Sequence, residues 1–166
     1  DQDRARWDYM LVGRGLAALE RAEKLGGALG PYALQAAIAA CHARARTPEA
    51  TDWARIASLY RALSLLAPSP IVELNRGVAV AMAFGPGEGL AIVDSLADEG
   101  VLRGYHLLPA VRGDLLEKLG RLDEAREEFS RAAALTQNGR ERTLLAERAA
   151  ACGLPSGGAS AGGARA

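Results

Sequence analysis

The chain contains 166 residues, of which 49% are hydrophobic, so it holds enough apolar material for one domain with a sizeable core. Its 20 basic residues balance 20 acidic residues. This balance argues against nucleic acid as the main ligand, because phosphate neutralisation requires a clustered excess of basic residues. No apolar run reaches the roughly 18 residues of a membrane-spanning helix. Two distant cysteines, Cys41 and Cys152, exclude a disulfide framework and are typical of a cytoplasmic protein.

Apolar residues at helical spacing predict three helices in the first part of the chain, over 4–25, 31–46 and 51–63. Trp53 and Tyr60 share one side of the third helix. We expect both aromatic residues to belong to the core. The alternative is that they form a surface anchor for a partner.

A fourth helix is predicted over 70–84, and it is apolar on nearly every side. Glu73, Asn75 and Arg76 are the polar residues that interrupt it. A helix that is hydrophobic all round is normally buried by its neighbours. We therefore expect this helix to lie at the centre of the fold.

Further helices are predicted in the rest of the chain, and they bring the total to about eight. From Gly153 onward the sequence is rich in Gly, Ala and Ser, which predicts a flexible tail. No alternating strand pattern occurs, so the predicted fold class is all-α, with one helical domain over 1–152 and a tail over 153–166. The additional helical segments are 88–97, 105–119, 122–136 and 141–152.

A spaced series of small and bulky residues runs through the segments 105–119 and 122–136 and the link between them, at Gly113, Leu116, Gly120, Ala125, Phe129 and Ala132. The same register occurs 36 residues earlier, at Gly77, Val80, Gly89, Val93 and Leu96. Its last part occurs 33 residues before that, at Tyr60, Leu63 and Pro68. The spacing resembles the tetratricopeptide repeat (TPR), a helix–turn–helix unit that cannot bury its apolar face alone. We therefore predict a TPR-like antiparallel helical-repeat array, with Phe129 buried between two helices.

Four stretches of sequence carry a more specific resemblance. They are similar to the C-terminal extension of one bacterial group of extracytoplasmic-function (ECF) sigma factors, and the similarity covers roughly residues 4–148. The sequence begins at Asp1 without a methionine, and we expect it to be a fragment cut from such a factor. The stretches are GPYALQAAIAACHARA (30–45), TDWARIASLYRAL (51–63), APSPIVELNRGVAVAMAFGP (67–86) and YHLLPAVRGDLLEKLGRLDEAREEFSRAAAL (105–135).

The resemblance implies a regulatory, non-enzymatic extension that controls transcription initiation by docking and needs no cofactor. Its expected partners are the factor's own sigma domains, RNA polymerase, or a small regulatory protein of the DGGR/YCII-like kind. Docking would shift the factor between polymerase-competent and idle forms. Two alternatives stay open: a free-standing TPR adaptor that binds a peptide or helix of another protein, and a helical domain that senses a small molecule. The apolar inner side of the array also makes self-association plausible.

The partner surface is predicted on the first helices of the repeats, which line the inner side of a TPR array. A few polar anchors on an apolar wall are typical of helix-in-groove recognition. For Asn75 and Arg76 a structural alternative stays open, in which a buried Asn75 bonds the end of a neighbouring helix and Arg76 pairs with Glu73 or a nearby acid. We expect charge reversal at Arg76 or Arg112 to abolish transcriptional output and to leave the fold intact. The predicted anchors are Gln35, His42, Asn75, Arg76 and Arg112.

No pattern in the sequence predicts catalysis or a metal site. Cys41 and His42 are adjacent, so their side chains point about 100° apart on a helix and cannot chelate together. We expect His106, beside Tyr105 at a helix start, to be structural. The serines lack a base at a recognisable spacing, which argues against a hydrolase.

Overall fold

A computed structural model of the chain describes residues 30–45 and 47–153. Within these residues the protein forms seven α-helices and one short 3₁₀ turn, and no β-strand. The all-α helical array that the sequence predicts is therefore confirmed. The predicted first helix, over 4–25, lies outside the described residues, as does the predicted tail beyond Gly153.

The described residues divide after Gly104 into two compact units, which we call the N-terminal unit and the C-terminal unit. In both units the substantial helix contacts join helices that are consecutive in the chain. The N-terminal unit contains α1 (Pro31–Arg44), the 3₁₀ turn (Pro48–Ala50), α2 (Trp53–Leu66), α3 (Pro70–Phe84) and α4 (Pro86–Glu99). The C-terminal unit contains α5 (Leu107–Lys118), α6 (Leu122–Leu135) and α7 (Gly139–Cys152).

The helix boundaries follow from local residue chemistry. Proline occupies the first position of α1, α3 and α4, where its missing N–H costs no helical hydrogen bond. Asp52 caps α2, since its Oδ1 accepts a hydrogen bond of 2.9 Å from the backbone N–H of Arg55. Asn138 caps α7 by accepting from the N–H groups of Arg140 and Glu141. Gly100 ends α4 in the left-handed conformation, with φ of 68°.

The core of the N-terminal unit is formed by side chains of α1, α2 and α3. Trp53 and Tyr60 pack against this core as half-buried side chains, which favours the core interpretation over a free surface anchor. Burial raises the pKa of the Tyr60 hydroxyl. The buried members of the core are Leu34, Ile38, Cys41, Ile56, Ala57, Leu63 and Ala79.

The expectation that the 70–84 helix is buried on all sides is wrong. Helix α3 contacts both α2 and α4, and the contacting side buries Leu74 and Gly77. Ile71 and Met82, which point in nearly the same direction, are 39% and 48% exposed, and Phe84 at the end of the helix is 63% exposed. The helix therefore lies between two neighbours, as a central helix should, but several of its apolar side chains are exposed.

In the C-terminal unit, the predicted burial of Phe129 between α5 and α6 is confirmed. Phe129, Leu116 and Ala125 are each 0% exposed. Small residues at Ala125 and Ala132 allow the helices to approach closely, and the aromatic ring fills the remaining space.

Candidate functional site

The same kind of packing contact occurs within each of the two clearest repeat pairs, α3–α4 and α5–α6. A Cβ atom built on Gly113 would lie 2.8 Å from Cδ1 and Cε1 of Phe129. A Cβ atom built on Gly77 would lie 2.9 Å from Cγ2 of Val93. Each glycine on the first helix of a pair thus receives the large residue that lies 16 positions later on the second helix. The geometry establishes that residues 36 apart are equivalent in the two pairs.

Arg112 stands beside this contact in the C-terminal unit and is bound within the fold. Its Nη1 lies 2.7 Å from Oε1 of Glu128, which is 3% exposed. The same Oε1 lies 3.2 Å from Nη1 of Arg131, so two guanidinium groups compensate one buried carboxylate. A charge reversal at Arg112 would put a second carboxylate against Glu128. The expectation that this change leaves the fold intact therefore conflicts with the contact.

Arg76 is the equivalent of Arg112 in the N-terminal unit, but its surroundings differ. The position of Glu128 is taken by Ile92, which cannot form an ion pair. Arg76 instead pairs along its own helix: its Nε and Nη2 lie 2.9 Å and 2.8 Å from Oε2 of Glu73. The Arg76 side chain is 26% exposed. The predicted alternative in which Arg76 pairs with Glu73 is therefore present in the structure.

A cavity of about 460 Å³ lies beside Arg76 between α3 and α4. Its wall is mainly apolar, and its charged groups are one guanidinium and two carboxylates. Such a concave, largely apolar site with a few polar groups is the usual form of a binding pocket. The lining residues are Pro68, Ser69, Pro70, Glu73, Arg76, Ala91, Ile92, Ser95, Leu96 and Glu99.

Of the five predicted anchors, Arg76 is the one that lines this cavity. Gln35 and Asn75 are exposed on α1 and α3. His42 packs edge-on against Trp53, with ring centroids 5.3 Å apart, so it serves the contact between α1 and α2. Arg112 belongs to the C-terminal unit and to its ion pair.

Sequence reasoning missed the second helix of the pair, which contributes Ile92, Ser95 and Glu99 to the cavity. A signal was available in the repeat register. Aligned on it, Ile92 replaces Glu128 and Ser95 replaces Arg131, so the partners of an internal ion pair are absent from one repeat and present in the other.

A second polar cluster, in the C-terminal unit, is structural. Arg148 on α7 binds Glu117 and, at 2.9 Å, Asp114 on α5, and its guanidinium carbon lies 4.2 Å from the Phe129 ring centroid. Burial raises the pKa of Asp114, but hydrogen bonds from Lys118 and Arg148 outweigh it and hold that pKa below its ordinary value. These contacts fix α7 to α5.

Two further candidate groups, Cys152 and His106, lie at contacts between helices. Burial and the nearby Glu117 raise the pKa of the Cys152 thiol, which disfavours its reactive thiolate. His106 lies 3.2 Å from Glu141, a contact between the start of α5 and α7. Over residues 30–45 and 47–153, no group of three or more His, Cys, Asp or Glu side chains could hold a metal ion. None of the helices in this part of the chain has the length and apolar character needed to cross a membrane.

Comparison with known proteins gives a relative without an assigned function. An uncharacterized protein of Rhizobium meliloti (strain 1021) is 48% identical over 145 residues. The matched region is 87% of this chain and 34% of the relative, so the chain spans about a third of the length of the curated relative it matches. No protein-family model matches the chain, and no solved structure matches it.

Proposed function

We propose that this chain is a protein-docking module that acts as the regulatory extension of a bacterial ECF sigma factor. The observation that carries the docking role is the repeated helix pair, in which Gly77 receives Val93 and Gly113 receives Phe129. Stacked helix pairs of this kind expose long faces that suit the binding of another chain. The link to a sigma factor is supported by the resemblance of the four sequence stretches given above.

The proposed mechanism is a shift between two states of the whole factor. The array docks on the sigma domains, on RNA polymerase or on a small DGGR/YCII-like regulator, in the cytoplasm and without a cofactor or catalytic step. A partner can shift the balance only by the difference between its affinities for the two states. DNA binding is not part of the mechanism, because acidic and basic residues are equal in number, 20 of each.

The cavity beside Arg76 favours two other functions as well. A TPR adaptor would use it to hold a residue of a bound peptide. A small-molecule sensor would fill it with ligand, and its volume of about 460 Å³ lies in the range of small-molecule sites. Both alternatives use the same pocket and differ from the main proposal in having no effect on transcription.

In vitro transcription with the longer protein that contains this chain tests the proposal. Core RNA polymerase is combined with the full protein or with a variant that lacks residues 30–153. We expect the deletion to change promoter-dependent transcription clearly while the sigma domains still bind polymerase. Equal transcription from both proteins, with or without a DGGR/YCII-like regulator, would contradict the proposed function and leave the adaptor or sensor.

A point substitution refines the same assay. Arg76→Glu is expected to abolish the regulatory effect, because Arg76 borders the cavity and its ion pair lies along a single helix. Arg61→Glu, an exposed arginine on α2, is the matched control. Circular dichroism checks that both variants keep the helical fold. If both behave as wild type in transcription, the docking face does not include Arg76.

A further inference from the structure

The two repeat pairs fill the same internal position in different ways. In the C-terminal unit, Glu128 is a carboxylate shared by two arginines, Arg112 at 2.7 Å and Arg131 at 3.2 Å. Their equivalents in the N-terminal unit are Ile92, Arg76 and Ser95. One carboxylate and one arginine are therefore replaced by an apolar and a small side chain, and the cavity lies where they would be.

The N-terminal unit has a carboxylate that pairs with one arginine, where the C-terminal unit has a carboxylate that pairs with two. Glu73 binds Arg76 along the helix, as a carboxylate with one arginine. The second arginine, which Arg131 supplies in the other unit, has no equivalent because Ser95 is too short, and its hydroxyl donates to the backbone oxygen of Ala91. The cavity thus offers a carboxylate with one cation where the other repeat has a carboxylate with two.

The charge of the lining points to a positive occupant. Glu73 and Glu99 contribute two negative charges, and Arg76 contributes one positive charge. Within the described residues, Glu99 is exposed and makes no ion pair. The start of α3 at Pro70 and the end of α4 at Glu99 both border the cavity, so the two helix dipoles offset each other. The charged side chains therefore determine the net charge that the lining presents.

The apolar wall restricts the occupant further. Ile92, Leu96 and Pro70 offer a surface on which an aliphatic stem can lie, while the carboxylates receive the charge at its end. An arginine side chain has both parts, and its planar guanidinium can bind two carboxylate oxygens at once. A free metal ion or a purely apolar ligand would satisfy only one of the two features.

From these observations we infer that the cavity between α3 and α4 binds an arginine side chain presented by an apolar segment of a partner protein. The bound arginine completes in trans the cation–carboxylate–cation arrangement that Arg112, Glu128 and Arg131 form within the C-terminal unit. This inference rests on the proposed docking function and names the partner's chemistry.

The first test is an NMR titration of the complete chain with three capped tripeptides. They are Leu-Arg-Leu, the same peptide with the neutral isostere citrulline, and Leu-Glu-Leu. We expect the arginine peptide to shift the signals of Ile92, Ser95 and Glu99, and to bind about tenfold more tightly than the citrulline peptide, since charge-assisted hydrogen bonds are lost in the latter. Equal binding of these two peptides, or stronger binding of Leu-Glu-Leu, overturns the inference.

Two variants locate the binding. Glu99→Gln is expected to weaken binding of the arginine peptide about tenfold, whereas its neighbour Asp98→Asn, exposed and not part of the lining, leaves it unchanged. Ser95→Arg should abolish binding, because the new side chain takes the place that Arg131 takes in the other repeat. Wild-type binding by Glu99→Gln and Ser95→Arg would contradict the inference. Ser95 and Glu99 are exposed, so both variants should keep the thermal stability of the wild type.

The peptide-binding result and the transcription result can be interpreted independently of each other. Binding of the arginine peptide at the cavity, together with unchanged transcription after deletion of 30–153, supports the arginine site and rejects the sigma-factor role. If free arginine amide binds as tightly as the tripeptide, the cavity is a small-molecule site. That result would overturn the inference that a partner protein presents the arginine on an apolar segment. Altered transcription without arginine binding would reject the site alone.

Discussion

The pairs α3–α4 and α5–α6 are built on one plan and differ in what lies beside it. Both place a glycine of the first helix against a large residue of the second helix, at Gly77 and Val93 in one pair and at Gly113 and Phe129 in the other. Next to this contact the C-terminal unit has an ion pair on a buried carboxylate, Glu128, and the N-terminal unit has a cavity. The repeat register therefore determines how the helices pack, while neighbouring positions decide whether the pair is sealed or open.

The two pairs also differ in how much their polar residues contribute to the stability of the fold. A buried carboxylate such as Glu128 is tolerated only while its arginines are present, so the C-terminal pair depends on its ionic contacts. Glu73 and Arg76 are partly exposed, and the fold of the N-terminal pair depends little on them. An open pocket lined by residues that the fold can spare is a suitable place for a binding site.

The largest contrast is expected from the residues that fill the helix pairs. Phe129→Ala should lower the free energy of unfolding by about 3–5 kcal/mol, because it leaves an aromatic-sized cavity in a fully buried place. Val93→Ala, its equivalent, should cost about 2 kcal/mol, since less apolar surface is lost. Denaturant unfolding measures both. A Val93 variant that loses as much stability as the Phe129 variant would contradict the difference between the pairs.

Replacing the equivalent arginines, Arg112 and Arg76, tests whether their ion pairs contribute differently to stability. Arg112→Met should cost about 3 kcal/mol, the low end of the range for breaking a buried pair, because Arg131 still compensates part of the charge of Glu128. Arg76→Met should cost less than about 1 kcal/mol, as for partly exposed pairs. The same denaturation experiment compares them. Similar losses from both variants would mean that the two arginines are not used differently.

Helix spacing differs at the equivalent positions Gly89 and Ala125. A Cβ atom on Gly89 would lie 2.5 Å from the backbone oxygen of Gly77 and would also clash with Ala81. Gly89→Ala should therefore destabilise the chain by about 1–3 kcal/mol through overpacking, in spite of the better helix propensity of alanine. Ala125→Gly should cost about 1 kcal/mol through propensity and a lost methyl group. Thermal unfolding that shows Gly89→Ala to be stabilising would contradict the close approach of α3 and α4.

The smallest effect concerns pH and the polar cluster of the C-terminal unit. The pKa of Asp114 is lower in the folded chain than its ordinary value, so its contribution is present at neutral pH and is lost as pH falls through the folded pKa. Since the carboxylate is about one-third exposed, we expect less than about 1 kcal/mol. The difference between wild type and Asp114→Asn should shrink below roughly pH 4. Asp98→Asn in the N-terminal unit gives the baseline for the loss of one exposed carboxylate. If the stability difference between wild type and Asp114→Asn grows in acid, the pKa of Asp114 is not lowered in the folded chain.

The fold could be predicted from the sequence because its signals are local. Helix starts were visible as Pro31 and Pro70, and the close packing of two helix pairs was visible in the spacing of Gly77 and Gly113. These features act through backbone geometry and nearest neighbours, which the order of residues already determines.

The candidate site was predictable only in part. Arg76 was found because a charged residue in an apolar helix is unusual, whereas Glu99 is an ordinary exposed residue at a helix end. Whether such a residue borders a cavity depends on the width left by Ile92 and Ser95 on a different helix. Burial of the 70–84 helix was overestimated for the same reason: apolar composition does not state how many neighbours a helix has, so Phe84 is exposed.

The succession of contacts between consecutive helices has a kinetic consequence. Each helix needs only the next or the previous one to begin packing, so the loops that must close are short and the contact order is low. Chains of this kind typically fold within microseconds to milliseconds. Opening is also local, which means that amide exchange at the outer helices of each unit should be faster than in the helices enclosed between two neighbours. A partner that binds α3 would therefore hold one of the two described helices of its unit, α2 and α3, that have a neighbour on both sides.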